Sequence, residues 1–347
     1  MDELSGRIAV VTGAGSGMGR AFALRFAAEG MAIVAADIQP DALTATVAEL
    51  TAAGHQVAGI ATDVADPDSV QRLADAAYDR FGAVHLLCNN AGVEGYLDGP
   101  IWAATAKDWE WTVGVNFWSV VHGVQAFVPR MLAGGEPGHI VNTCSMTAVV
   151  SAGNMYAITK HAVLALTEVL ALDLARRDAP IGVTALCPGI IATNLFRGSR
   201  NRPAVLREDD DFSAHDAADA TDTHGTGGAD RAHDAHGTGG AGGAASGGVQ
   251  AAGLPADRDA QAGRETRERM HAMLAGGMPP AEVAAKLVDA VRAGTRYLLT
   301  DHDWDPRILE RHESIMTGAT GPPVPAAPGA FRKVAPQSSH GNGAADG

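Results

Sequence analysis

Cysteine is scarce in this chain: Cys88, Cys144 and Cys187 are the three among 347 residues. Each closes an apolar, strand-like run, and an odd number so placed excludes a disulfide framework and points to buried thiols. Cys144 stands beside Ser145, but no activating base is identifiable for it, so it is read as packing and not as a nucleophile. Long apolar runs are also missing. Segments such as 33–36 and 84–88 are far shorter than a membrane span, and Met1-Asp2-Glu3-Leu4 has neither the basic nor the apolar part of a secretory signal. A soluble, cytoplasmic protein with no membrane partner is therefore expected. There is no basic excess either. The formal charge is −14, and 207–263 alone holds eleven acidic and three basic residues, which speaks against nucleic acid as a partner. His215, His224, His233 and His236 fall in that stretch beside aspartates, yet their spacing matches no closed zinc site and no metal is expected.

What remains is ample for a globular core, with 46% apolar residues. Apolar strand-like runs at about 7–12, 31–37, 56–62, 84–89, 138–144, 181–187 and 296–300 alternate with helical patterns. The helices are read at about 18–29, 40–53, 67–81, 105–132, 154–178 and 280–293. Continuous apolar strands separated by amphipathic helices predict an α/β fold: one Rossmann-type, doubly wound parallel sheet of about seven strands flanked by helices. Ligands of such sheets bind beyond the carboxyl ends of the strands. The stretch 207–263 breaks the alternation. It is dominated by Gly, Ala, Asp, Thr and His, and repeats His-Gly-Thr-Gly-Gly-Ala at 224–229 and 236–241. It cannot bury enough apolar surface to offset ordering entropy, so disorder is expected there and in the Pro- and Gly-rich tail 319–347. The core is accordingly read as 1–206 resumed at 264–318, with a helix at about 264–275.

Two motifs carry chemistry. The run 10–20 places Gly13, Gly17 and Gly19 between a strand and a helix start, with Ser16 and Met18 interleaved. This is not the common G-x-G-x-x-G spacing but G-x-x-x-G-x-G. Glycines allow the backbone to approach a pyrophosphate, whose charge is met by free N–H groups and the positive end of the helix dipole. A dinucleotide is the better reading against a merely flexible loop. The second motif is Tyr156 and Lys160, four apart, which a helix puts on one face about 6 Å apart along its axis. A phenol titrates near pH ~10, and a fixed ammonium beside it favours phenolate, so Tyr156 can exchange a proton with a substrate oxygen. A solvated i,i+4 pair is the plain alternative for the two residues taken alone.

Together these segments resemble the short-chain dehydrogenase/reductase family, whose glycine motif is T-G-x-x-x-G-x-G and whose catalytic helix carries Y-x-x-x-K. Asn89-Asn90-Ala91-Gly92 is similar to its N-N-A-G segment, Asn116 to its active-site asparagine and Ser145 to its catalytic serine. Pro188-Gly189-Ile190-Ile191-Ala192-Thr193 resembles its P-G segment. The likeness covers 5–200 and resumes at about 279–316. It implies an oxidoreductase acting on a small-molecule alcohol or carbonyl, with Tyr156, Lys160, Ser145 and Asn116 catalytic. It further implies that Lys160 holds the nicotinamide ribose, that Asn116 holds a water joining Lys160 to solvent, and that the backbone around Ile191 with Thr193 fixes the carboxamide. Asn90, Ala91, Gly92, Pro188 and Gly189 join the cofactor site on the same ground, and 207–263 becomes an insert in the mobile lid over the substrate. Ser145 and Tyr156 are eleven apart where the family usually has about two residues more, so a shorter loop is expected between them.

Asp37 ends the second strand, followed by Ile38. A carboxylate there accepts hydrogen bonds from both adenosine ribose hydroxyls and repels a 2′-phosphate, which favours NAD over NADP. A turn role for Asp37 is the competing reading. Asp63-Val64 resembles the family's adenine-contacting pair, with an N-cap for the helix after Pro67 as competitor. The segment 107–132 resembles the family's main subunit interface, so Trp102, Trp109, Trp111 and Trp118 are read as core and interface packing, and a homotetramer or homodimer is expected. Glu94, Met146, Met155, Leu195 and Phe196 are read as substrate-pocket residues. An NADPH-dependent ketoreductase of carrier-bound or xenobiotic carbonyls, and a non-catalytic dinucleotide-binding regulator, stand as alternatives.

Overall fold

The computed structural model describes residues 1–207 and 256–320, with side chains from 263 onward in the second span. The disorder expected for 207–263 and 319–347 falls almost wholly outside the described residues. Seven strands form one sheet: β1 (Ile8–Thr12), β2 (Ala32–Asp37), β3 (Val57–Ala61), β4 (Leu86–Asn89), β5 (Gly138–Thr143), β6 (Ile181–Cys187) and β7 (Tyr297–Leu299). Their order is β3-β2-β1-β4-β5-β6-β7, every pair parallel. The chain beyond 264 therefore completes the same sheet.

Nine helices surround the sheet among the described residues: α1 (Gly17–Ala28), α2 (Pro40–Ala52), α3 (Pro67–Phe81), α4 (Ala106–Val113), α5 (Ser119–Gly134), α6 (Met155–Ala175), α7 (Ala256–Ala275), α8 (Pro280–Ala293) and α9 (Asp305–Thr317). Alternate residues of β1 serve opposite faces. Ala9 and Val11 pack with Phe22 and Phe26 of α1 and Leu287 of α8, while Ile8 and Val10 pack with Leu73 of α3, Phe127 of α5 and Leu174 of α6. Both faces are thus covered, which is why the strands read as continuous apolar runs and not as alternating ones. Local signals set the helix ends. Asp66 caps α3 by accepting from Asp68 N, Pro67 takes its first position, and Gly82 closes it with φ +79°. Thr105 and Asp108 form a capping box on α4.

Three elements differ from the sequence expectation. The helix read at 105–132 is interrupted by a π-turn at Gly114–Trp118, which has no distinctive residue to announce it. The helix α7 begins at Ala256, ahead of the expected 264, and the exposed, largely polar α9 carried too weak an apolar pattern to be read. The absence of a membrane-length apolar segment also needs correction: α6 is long and apolar enough to span a bilayer, by length and composition. Its apolarity has a local cause, since Val163, Leu170 and Leu174 pack into the core.

Candidate active site

A single cleft runs along the carboxyl ends of β1 to β5, between the loops that leave them, α6 and the segment after β6. At β1 the chain turns through Gly13 and Gly17, with φ of +68° and +52°. A Cβ on Gly19 would lie 2.0 Å from the Gly13 carbonyl oxygen, and one on Gly13 would lie 3.0 Å from Ala91 Cα. Bare backbone is needed for the loop to close so tightly on the exit of β4. Thr12 locks that exit: its hydroxyl accepts from Asn90 N at 2.9 Å and Ala91 N at 3.1 Å, while Asn90 Nδ2 donates to Thr12 O at 3.0 Å. Ser16 caps α1 without a side-chain hydrogen bond, so the N–H groups at the helix start are left for a ligand beside Gly17, Met18 and Gly19 on the cleft wall. These residues fit a pyrophosphate.

Asp37 and Ile38 line the cleft next to this loop. Asp37 also serves its turn, with Oδ2 accepting from Gly15 N at 2.8 Å and Oδ1 from Gln39 N at 2.9 Å. The turn reading and the cleft reading therefore coexist. Arg20, the basic residue nearest in sequence, is turned away to pair with Glu49 on α2. Asp63 and Val64 line the cleft as well, and Asp63 is not the cap of α3, a task taken by Asp66.

Tyr156 and Lys160 project into the cleft from the first turns of α6, which Asn154 caps by accepting from Ala157 N at 2.9 Å. Lys160 Nζ donates to Thr143 O at 2.8 Å and sits 5.4 Å from the centre of the Tyr156 ring. Burial lowers the Lys160 ammonium to about 8. Burial also pushes the Tyr156 phenol well above its usual range, and the side chain opposing this is that of Ser145. Desolvation is the dominant influence on the phenol, and Ser145 the lowering one. The shorter loop between Ser145 and Tyr156 is accommodated by a single 3₁₀ turn, Met146–Ala148, which Ser145 caps by accepting from Thr147 N at 3.1 Å.

Asn116 is fully buried in the π-turn. Its Oδ1 accepts from Val93 N at 2.8 Å, and its Nδ2 donates to Val93 O at 2.9 Å and Thr159 Oγ1 at 3.2 Å. It stands behind Gly92, where a Cβ would meet Asn116 Oδ1 at 3.3 Å and Lys160 Nζ at 3.5 Å. Asn90, Ala91, Gly92 and Thr193 all reach the cleft. Pro188, Gly189 and Ile191 do not form its wall. Gly189 N donates to Thr300 Oγ1 at 2.9 Å, Pro188 O accepts from Met146 N at 2.9 Å, and Ile191 is buried in the core beside Met278. They are held by the end of β6 and the approach to α8, and Thr193 is the member of this run that faces the glycine loop.

Leu195 and Phe196 were expected in the pocket beneath a lid that follows β6; Leu195 lines the cleft, and what the sequence did not show is how this roof segment is held. A 3₁₀ segment, Leu195–Asn201, crosses the cleft and is pinned by the core. Glu94 Oε1 accepts from Ser199 N at 3.1 Å, and Arg202 is ion-paired to Asp108 at 2.8 Å over the Trp111 ring. Arg267 of α7 reaches Asp98 with two hydrogen bonds of 2.6 Å. Trp111 lines the cleft, whereas Trp102 and Trp118 are exposed. Glu94, Met146 and Met155 are buried. The three cysteines are free and buried.

The short chain dehydrogenase family matches residues 7–204. A 1-deoxy-11-beta-hydroxypentalenate dehydrogenase of Streptomyces exfoliatus is 44% identical over 218 residues, 62% of this chain and 78% of that protein. A short-chain dehydrogenase/reductase of Burkholderia phymatum, solved in complex with NAD, superposes with a TM-score of 0.76 at 34% identity, over 93% of this chain and 99% of that one. A metagenomic short-chain oxidoreductase solved with NADP gives a TM-score of 0.51 at 31% identity, over 54% and 84%. With the glycine loop, the parallel sheet and the Tyr156–Lys160 helix all in place, this chain belongs to the short-chain dehydrogenase/reductase family and is an oxidoreductase of nicotinamide dinucleotides.

Proposed function

We propose that this chain is an NAD-dependent dehydrogenase of secondary alcohols, working as a carbonyl reductase in the reverse direction, with Tyr156, Lys160, Ser145 and Asn116 as its catalytic set. Tyr156 and Lys160, with the Lys160 Nζ 5.4 Å from the Tyr156 ring centre, on the wall of a cleft that fits a dinucleotide carry this reading. The dinucleotide, when bound, supplies or accepts the hydride. Tyr156 gives its phenolic proton to a carbonyl oxygen in reduction, or takes the hydroxyl proton in oxidation. Ser145 holds that oxygen by a hydrogen bond. Lys160 would hold the nicotinamide ribose and keeps an ammonium 5.4 Å from the Tyr156 ring, where its field favours phenolate, and Asn116 fixes the backbone at Val93 next to Lys160. Thr193, against the glycine loop, would orient the carboxamide with the backbone near Ile191.

Asp37 favours NAD, because a ribose diol satisfies its free lone pairs while a 2′-phosphate is repelled. The structural relative solved with NAD supports the same choice, and the relative named for a hydroxyl-bearing substrate supports an alcohol as the substrate. The relative solved with NADP keeps the NADPH-dependent reductase as the second reading. A homotetramer or homodimer is favoured by exposed apolar side chains on the outer faces of α5 and α6 and next to them: Trp118, Val169 and Leu172 are each about half exposed or more. Soluble, cytoplasmic residence belongs to the same reading. Steady-state turnover of a panel of secondary alcohols with each cofactor tests it. A higher kcat/KM with NAD is expected, and a higher value with NADP contradicts it.

A further inference from the structure

The turn after β2 offers no basic side chain of its own, since Ile38 and Gln39 follow Asp37. The fold brings one from elsewhere. Arg200, near the end of the Leu195–Asn201 segment, lines the cleft together with Asp37, Ile38 and Gln39. The Gln39 amide lies between Arg200 and Asn201. With its oxygen toward the guanidinium it accepts from Arg200 Nε at 2.9 Å and Nη2 at 3.1 Å, and with its nitrogen there it donates to Asn201 Oδ1 at 2.6 Å. The first orientation satisfies both Arg200 donors. The remaining edge donates, through Nη1, to the carbonyl of Arg197. Both partners are neutral, and no carboxylate among the described residues lies within ion-pair distance of Arg200. A half-buried cation is thus held by two dipoles beside the carboxylate that selects the adenosine ribose.

We propose that Arg200 is a specificity-determining residue for the cofactor, a guanidinium delivered from the roof segment to meet a phosphate on the adenosine ribose. The inference rests on the reading that Asp37 faces that ribose. Guanidinium matches phosphate by paired N–H groups and keeps its charge at all working pH values. Gln39 presents these N–H groups at the β2 edge, next to Asp37. Arg200 therefore offsets part of the repulsion that Asp37 exerts on a 2′-phosphate, and the preference for NAD is milder than the carboxylate alone would set. The same 3₁₀ segment carries Leu195 and Phe196 at its other end, so the adenosine end of the cofactor and the substrate roof are joined through one short piece of backbone.

The test is titration of NADH and NADPH by fluorescence, with competition by 5′-ADP and 2′,5′-ADP, on the full chain and on Arg200→Ala and Arg200→Gln. The expected result is an NADPH-to-NADH affinity ratio lowered about tenfold or more in both variants, with the 2′,5′-ADP to 5′-ADP ratio lowered in parallel, as loss of one charged phosphate contact implies. Should the parent bind NADPH too weakly to measure, Asp37→Ala and Asp37→Ala with Arg200→Ala give the same comparison without the repulsion. Ratios that stay constant or rise overturn the proposal, even if all affinities fall together, and so does a lack of NADPH binding in Asp37→Ala. Failure of the parent to bind NADH overturns the functional reading along with it, and that arm is read separately.

Discussion

Glu94 has a carboxyl that is 1% exposed, with Oε1 on Ser199 N and Oε2 without a hydrogen-bond partner among the described residues. Burial raises it to about 7 from the ordinary 4.5, although Arg267 and Arg200 pull the other way. A folded-state value above the unfolded one means that the fold binds the proton more tightly. The associated stability is therefore complete below about 4.5 and is lost as pH rises through about 7. The loss is on the order of 3 kcal/mol at alkaline pH. Glu94→Gln keeps the shape and removes the titration, so its melting temperature should match the parent near pH 5 and exceed it at pH 8. A difference that does not change between these two pH values would remove Glu94 from the account. Tyr156, Lys160 and Ser145 were visible in the sequence as residue types at a spacing. Their proton affinities were not, because desolvation depends on what the fold packs around them, as the raised phenol of Tyr156 and the lowered ammonium of Lys160 show.

The strands and most helices were legible because a sheet buried on both faces needs unbroken apolar runs, and helix ends need particular caps. The π-turn at Gly114–Trp118 and the 3₁₀ form and pinning of Leu195–Asn201 were not. A π-turn differs from the α-helix around it by one residue of register, and the roof is fixed by contacts between residues far apart in sequence. Trp111 and Arg200 enter the site only through those contacts. Gly198 tests the roof as an element. A Cβ there would fall 2.3 Å from Glu94 Oε2 and 3.4 Å from Val93 Cγ1. Gly198→Ala should cost about 1–3 kcal/mol by overpacking and lower the melting temperature by several degrees. Substrate KM should rise as the segment lifts from Glu94. Melting and KM both equal to those of the parent would show that the roof is not held at this point.

For the whole molecule, one sheet built from 1–207 and the chain beyond 256 means that the intervening stretch joins two parts of a single core. Its composition predicts a solvated linker, and loop length affects stability only logarithmically. Replacing 210–250 with a short Gly-Ser bridge should leave solubility, NAD binding and melting temperature intact. An insoluble variant, or one melting many degrees lower, would contradict that reading. The central claim remains that this core moves a proton through Tyr156 while the dinucleotide moves a hydride. Its most direct test is the comparison of the parent with Tyr156→Phe in NADH formation from a secondary alcohol, alongside NADH binding by fluorescence. The account predicts a kcat lowered by about 10²–10⁴-fold with NADH still bound. More than about a tenth of the parent kcat in Tyr156→Phe would contradict it.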